Sequence, residues 1–356
     1  MAPAGPVDVM IVSLGSTAGL RAADEQLRDS LGRAGASVAL ATALAPREIR
    51  TLMLTDLGWA RAARAAARRA LGEMNGEPPR AVVYASTTAA LLWPRPGAIR
   101  FDALSAGNRP GRHGLWQRAL ERRRLERAPL LLPWSVGGLE EVPAVDGRDG
   151  RALIVPVAVE PSGAPERVRD IAAITYAANP AKKGLDRVLA AWREVRSERR
   201  TDDRDELLVA GASASELRRA GVELDGQDRV RVVGALERGE YRALLRRSRL
   251  FVCAPRREDY GIAQLEALAD GCRLVTTPAP GPYAALPIAR ELDRRLVDDD
   301  LTAALTVALT APDEGYGARA RQALAPFAPD TLDRLVAREL LPRLLARGYA
   351  QNSSQA

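Results

Sequence analysis

The sequence predicts an α/β protein of two doubly wound domains joined by a linker. Three observations carry this expectation. Short apolar runs alternate with helical patterns along most of the chain, as parallel sheets with crossover helices require. The alternation lapses once, at Glu160–Arg169 (EPSGAPERVR), where Pro, Gly and Ser appear and apolar periodicity is lost. The 356 residues suit two domains of roughly 150–180 residues each.

The elements follow in order. Val7–Leu14 (VDVMIVSL) reads as a strand, Gly15–Gly19 as a small-residue loop, and the pattern to about Ala34 as a helix. Ser37–Ala45 is apolar again, and Arg50–Leu71 is an Ala/Arg-rich helix. Arg80–Ser86, Ala98–Leu104 and Pro129–Pro133 read as strands, with a basic helix at Gly111–Arg127. Arg151–Val159 (RALIVPVAV) closes this half. A second unit begins with the strand Ile171–Ala177, the helix Gly184–Glu198 and the strand Glu206–Ala210. Then come the strand Val230–Val233, the helix Glu237–Arg246 and the strand Leu250–Ala254. The helix Ile262–Ala269 and the strand Arg273–Thr277 follow. The tail, Thr331–Tyr349, is helical, and Pro342 inside it predicts a kink. The expected division is residues 1–160, a linker at 161–170, a second domain at 171–330 and a C-terminal helix at 331–356 crossing back to the first domain. Such a design places a ligand in a cleft at the sheet ends.

Composition excludes several classes. There are 52 bases against 45 acids, a formal charge of +7, yet only Lys182 and Lys183 are lysine. A bias that spells nearly every base as Arg makes many of them ordinary surface. The adjacent lysines then mark a place where an ammonium was needed, because Lys and Arg are not equivalent at a phosphate. With one histidine, His113, and two cysteines, Cys253 and Cys272, no four-ligand structural zinc site is available and a disulfide scaffold is not expected. The cysteines read as small buried apolar residues, which fits a reducing cytoplasm. No basic region precedes the first apolar run, so no signal peptide is expected. No apolar stretch reaches the ~18 residues of a membrane span. No reader motif accompanies the charge, so nucleic acid is not an expected partner.

Four segments carry chemistry. In Ala254–Gly271 (APRREDYGIAQLEALADG) a strand ends, a loop presents Glu258, Gly261 permits close backbone approach, and a helix starts. Free N–H groups at that helix start suit a diphosphate. The carboxylates of Glu258 and Glu266 repel phosphate and suit hydroxyl donors such as a sugar and a ribose. In Tyr176–Asp186 (YAANPAKKGLD) a strand ends and the Lys pair opens a helix, where a cation is locally unfavourable unless a ligand needs it. Gly15–Gly19 follows the first strand, as in any Rossmann-like domain. Arg100–Gln117 follows the fourth strand and contains Asp102 and His113. Both residues are able to face a cleft, or else to be a capping Asp and a surface His.

The string Glu258-x7-Glu266, with Gly261 after the first Glu and Glu266-Ala-Leu-Ala-Asp-Gly271 at its end, resembles the donor signature of the family 4 retaining glycosyltransferases of GT-B fold. Val232–Val252 is similar to that family's approach to the site, with Ser248 in place of an Ala. Ile154–Glu160 (IVPVAVE) is similar to its inter-domain strand, and Ala18-Gly19 with Leu27, Leu31 and Gly35 to its glycine-rich loop and first helix. The resemblance implies a GT-B fold, two Rossmann-like domains facing a cleft. It implies transfer of a sugar, a hexose in this reading, from a nucleotide-diphosphate donor with retention, by front-face attack with the departing phosphate as base. Lys183, with Lys182 beside it, would hold the diphosphate together with the N–H groups of Gly261 and Ile262. Glu258 would hold sugar hydroxyls, Glu266 the ribose, and Gly19 would lie in the loop over the donor. No metal or other cofactor is expected. The acceptor, whether glycan, lipid-linked or small molecule, is not named. The family's Gly-Arg pair is Ala177-Ala178 here, so one expected phosphate cation is absent, the feature that favours a non-catalytic GT-B accessory protein. Asp102 lies nearer than His113 to the family's acceptor-side His, so no catalytic role transfers directly to either. A sugar-nucleotide epimerase of the same fold is a further alternative.

A basic region completes the inventory. Arg61, Arg64 and Arg68 share one helical face, and Arg109, Arg112, Arg118, Arg122, Arg123, Arg124 and Arg127 crowd the Gly111–Arg127 helix and its approach. Two readings stand: docking on the anionic inner face of a membrane, or a solvated Arg-rich face interleaved with Glu121 and Glu126.

Overall fold

The computed structural model describes residues 6–46, 51–74, 77–143, 149–164, 166, 168–198, 202 and 204–349. The chain divides into two compact units, one of residues up to Ala158 with those from Pro329 onward, the other Val159–Ala328.

In the first unit β1 (Val9–Ser13), β2 (Val38–Thr42), β3 (Ala81–Tyr84), β4 (Ala98–Phe101) and β5 (Leu131–Pro133) form a parallel sheet in the order β2-β1-β3-β4-β5. Every residue of β1 is buried, and alternate residues serve opposite faces. Met10 and Val12 join one core cluster with Ala63, Ala67, Phe101 and Leu125. Val9 and Ile11 join the other with Leu27, Leu31, Val336 and Leu340. A strand buried on both faces reads as a continuous apolar run, which is how β1 shows itself in sequence. The helix Ala18–Arg33 starts where the Thr17 side chain accepts a hydrogen bond from the Leu20 N–H, at 3.2 Å. β4 stops at Phe101, three residues short of the expected end, because the Asp102 carboxylate accepts from the Ala103 N–H (2.8 Å) and turns the chain. The helix expected from Gly111 starts at Leu115, after a 3-10 turn at Arg112–Gly114. Arg151–Val159 forms no named strand but lies along β5, with Leu153 and Val155 N–H groups bonded to the Leu131 and Pro133 carbonyls, both at 2.9 Å.

The C-terminal segment packs in this unit as helix Pro329–Leu335, a π turn at Val336–Leu340 and helix Leu341–Tyr349. The π turn is the irregularity that Pro342 predicts, placed just before it. Proline lacks an N–H and its ring crowds the carbonyl four residues back, and the wider turn makes room. Asp333 fixes the segment to the first helix, accepting two bonds from Arg33 at 2.7 and 2.8 Å.

In the second unit β6 (Ile171–Tyr176), β7 (Leu207–Ala210), β8 (Val230–Gly234), β9 (Ser248–Cys253) and β10 (Arg273–Thr276) form a parallel sheet in the order β10-β9-β6-β7-β8. The chain leaves β6 toward β7 on one side and returns to β9 on the other. β6 and β9 are therefore the topological switch point, where the loops after two neighbouring strands part and leave a crevice. Glu160 and Ser162, from the expected linker, are anchored in this unit. Arg242 donates to the Glu160 carbonyl (2.7 Å), and Ser162 donates twice to Asp270 (2.8 and 2.9 Å).

Candidate active site at the switch point

The loops after β6 and β9 are stitched together by backbone. After β6, the Asn179 side chain accepts from the Lys182 N–H (3.1 Å), and Pro180–Lys183 forms one helical turn. Gly184 ends that turn with φ +65° and opens the next helix, Leu185–Ser197. The Lys pair thus closes a short turn rather than opening the long helix, a difference from the expected placement set by the left-handed glycine. A Cβ on Gly184 would fall 1.8 Å from the Ala254 carbonyl oxygen, so only glycine lets this backbone lie against the end of β9. The Arg256 N–H then bonds to the Lys182 carbonyl at 3.0 Å.

This stitching brings Lys183 onto Glu258. Its ammonium donates to both carboxylate oxygens, at 2.9 and 2.7 Å. Gln264, on the first turn of the helix Ile262–Ala269, donates to the same carboxylate at 2.8 Å. The Glu258 N–H bonds to the Pro280 carbonyl (3.0 Å), and a Cβ on Gly281 would stand 2.3 Å from the Glu258 carbonyl oxygen. Glu258 is only 4% exposed. Lys182 pairs with the neighbouring Asp259, which Arg257 also holds at 3.2 Å. Gly261, at φ +92°, is the residue before the helix, whose first N–H groups lack intrahelical partners.

Glu266 lies on the helix Ile262–Ala269, eight residues after Glu258 in the sequence. Arg238 and Arg242, four apart on the helix Arg238–Arg247, bond to it at 2.9 and 3.4 Å, and Arg242 holds Asp270 at 2.6 Å. Two i,i+4 pairs, Glu266/Asp270 and Arg238/Arg242, thus face each other. Tyr176, at the end of β6, and Tyr241 pack beside them with tilted rings, centroids 5.4 Å apart. Burial, and next the Glu266 charge, push both phenols up, so both stay neutral.

Of the residues singled out by sequence, Lys182, Lys183, Glu258, Gly261, Ile262 and Glu266 belong to this unit. Lys183 and Glu258 touch. Gly19, Asp102 and His113 belong to the first unit. Gly19 is not in the loop but in the first turn of the helix Ala18–Arg33, and Gly15, at φ +59°, is the loop residue that requires glycine. Asp102 is half-buried at the turn after β4. His113 lies in the 3-10 turn, and its side chain is outside the described residues. Gln264, Arg238 and Arg242 were not singled out. The i,i+4 spacing of the two arginines was their one visible signal. Among the described residues, no three of His, Cys, Asp and Glu are grouped to hold a metal ion.

Several arginines of the basic region serve their own unit. Arg109 grips Asp56 at 2.6 and 3.0 Å, and Arg64 caps the Leu92 carbonyl at 3.0 Å. Arg124 bonds to the Leu91 carbonyl (2.9 Å) and lies over the Trp93 ring at 4.8 Å.

The family model for Glycosyl transferases group 1 matches residues 169–311, nearly the whole second unit and every element of this site. The second unit is thus similar to a glycosyl transferases group 1 domain. Solved structures match over almost the full chain. WaaG, a glycosyltransferase involved in lipopolysaccharide biosynthesis, aligns at TM-score 0.68 and 14% identity, covering 93% of this chain and 100% of its own. Alr3699/HepE of Anabaena, solved with UDP and glucose, aligns at 0.64 and 12%, covering 94% and 99%. Sucrose-phosphate synthase of Thermosynechococcus elongatus aligns at 0.63 and 15%, covering 97% of each chain. At these identities the likeness speaks for the fold, which is GT-B, with two parallel-sheet α/β units. No curated protein matches the chain. The glycosyltransferase domain makes the protein an enzyme of the transferase class, and Lys183, Glu258, Gly261, Ile262 and Glu266 all fall within the matched span.

Proposed function

We propose that the glycosyltransferase domain binds a nucleotide-diphosphate sugar at the β6/β9 switch point and transfers its sugar, a hexose, to an acceptor with retention. The observation that carries this reading is the meeting of Lys183 and Glu258 beside the start of the helix Ile262–Ala269. A cation and a carboxylate side by side, next to helix-start N–H groups that lack intrahelical partners, answer to the two ends of such a donor. Lys183 and the N–H groups of Gly261 and Ile262 neutralise the diphosphate, and Lys182 adds a second ammonium where the family's Arg is replaced by Ala178. Glu258 accepts hydrogen bonds from sugar hydroxyls, and Glu266 from the ribose. UDP and glucose, bound by the Anabaena neighbour, are the first donor components to try. Diphosphate neutralisation by Lys183 and the helix start leaves no role that requires a metal. With retention, the departing phosphate takes the acceptor proton as the new bond forms on the same face. Asp102 and His113 stay as acceptor-side candidates.

A screen of nucleotide sugars with the purified protein, reading which diphosphate is released, tests this. At least one donor should be turned over, and Lys183→Ala should weaken its binding about tenfold or more. Release that needs no acceptor and yields an epimerised sugar would point to the epimerase chemistry instead.

A further inference from the structure

The two carboxylates of the switch point are held in different ways. Both oxygens of Glu258 are occupied, Oε1 by Lys183 and Oε2 by Lys183 and Gln264. Glu266 is held by one oxygen alone. Arg238 donates to its Oε1 at 2.9 Å and Arg242 to the same Oε1 at 3.4 Å. A carboxylate oxygen offers about two lone-pair sites, so the two arginines occupy Oε1. Among the described residues none bonds to Oε2, which stays open to solvent although the side chain is only 9% exposed.

The two arginines are anchored differently. Arg242 is buried, and each nitrogen of its guanidinium has one partner. Nε donates to Asp270, Nη2 to the Glu160 carbonyl, and Nη1 remains for Glu266. Asp270 is fixed in turn by the Ser162 N–H and hydroxyl. The plane of this guanidinium is therefore set before any ligand arrives. The Arg238 side chain is 64% exposed, and Glu266 is its one partner among the described residues. An exposed ion pair adds little to stability, so the fold alone does not require Arg238 to turn back onto a carboxylate of another helix.

We propose that Arg238 and Arg242 are positioning residues that hold Glu266 by Oε1 and present Oε2 to the nucleotide, so that selection of ribose over deoxyribose depends on them. The inference rests on the donor-site reading, in which Glu266 accepts from the ribose, and adds the groups that make Glu266 selective. A carboxylate already fixed in orientation loses little further freedom when a hydroxyl arrives. A nucleotide lacking that hydroxyl leaves a charged acceptor without its donor, and a site built this way rejects it. A carboxylate free to turn would find water or another donor and discriminate less.

The test is titration calorimetry of the full chain with UDP, GDP and ADP, each beside its 2′-deoxy and 3′-deoxy forms. These probes carry no sugar, so they report the ribose and phosphate ends alone. Wild type should bind at least one ribonucleotide about tenfold or more tightly than one of its deoxy forms. Arg238→Ala/Arg242→Lys should cut that ratio to about threefold or less, chiefly by weakening the ribose form. Lysine keeps a cation beside Asp270 and Arg238 is exposed, so circular dichroism should not change. Arg238→Ala alone, a surface change, should lower the ratio part of the way, and Arg238→Lys less. Lys183→Ala should weaken ribose and deoxyribose forms alike and leave the ratio unchanged. A ratio unaltered in the arginine variants, or both forms weakened equally, would overturn the proposal, since the arginines would then serve the fold or attract anions in general. A wild type that binds diphosphates with no preference for ribose would overturn it and leave the donor site standing. Binding of none of the diphosphates would overturn both.

Discussion

At the scale of the residue, the account rests on contacts between side chains far apart in sequence. Glu258→Ala should reduce transfer by at least ~100-fold, the magnitude seen when one preorganised group at a reacting centre is lost. Its circular dichroism spectrum should match wild type, because the Lys183 side chain is 22% exposed and its ammonium regains water. Gly184→Ala should destabilise the protein by about 2 kcal/mol or more in urea unfolding, since the new Cβ meets the Ala254 carbonyl at 1.8 Å in a left-handed conformation. Lys183 and Glu258 were both legible in the sequence as chemistry, one by scarcity and one by its motif. Their ion pair was not, because it spans 75 positions and exists only once the loops after β6 and β9 are stitched together. Gln264 was hidden for the same reason. A glutamine on a helix is ordinary until its partner is known.

At the scale of the element, a buried polar layer ties the first sheet to its helix. Asp24, on the helix Ala18–Arg33, meets Arg100 of β4 at 3.4 Å and accepts from Ser13 at the end of β1, while Arg100 lies over Trp134 at 4.6 Å. The Asp24 and Arg100 side chains are 3% and 1% exposed. Asp24→Ala should cost about 3–5 kcal/mol in denaturant unfolding, because it leaves a guanidinium buried without its carboxylate. Asp24→Leu/Arg100→Met should cost less than the single change. Burial outweighs Arg100 and raises the Asp24 carboxyl above 3.8. Ionising it therefore opposes folding, and its contribution to stability declines as pH rises through 3.8 to the folded value. In the second unit both cysteines are buried, Cys253 at the end of β9 and Cys272 just before β10. Burial pushes the Cys253 thiol up and Cys272 to about 12, so a thiol reagent at pH 8 should label neither before unfolding and both after. Strand positions were legible as apolar runs because the inner strands, such as β1, β6 and β9, are buried on both faces. Element ends were less so, since they depend on single caps such as Thr17, Asp102 and Gly184. The charged layer left no mark in the sequence, because Asp24 and Arg100 look like surface residues in a chain with 97 charged side chains, 52 basic and 45 acidic.

At the scale of the whole molecule, two units each carry a parallel sheet, and the proposed donor site lies in the second. The +7 charge says little about the chemistry there, because many arginines in both units pair with acids or carbonyls of their own unit. Donor binding should therefore raise the thermal transition that reports the second unit, by the mass action of ligand on the folded form. The alternation of strands and helices made the two-unit design readable. The central claim is that the β6/β9 switch point is a nucleotide-diphosphate-sugar site built on Lys183 and Glu258. Titration calorimetry of wild type, Lys183→Ala and Glu258→Ala against a panel of nucleotide sugars, UDP-glucose first, tests it most directly. The account predicts that at least one donor binds wild type and that both variants bind it about tenfold more weakly or worse. Binding of no donor by wild type, or equal binding by all three proteins, would contradict it.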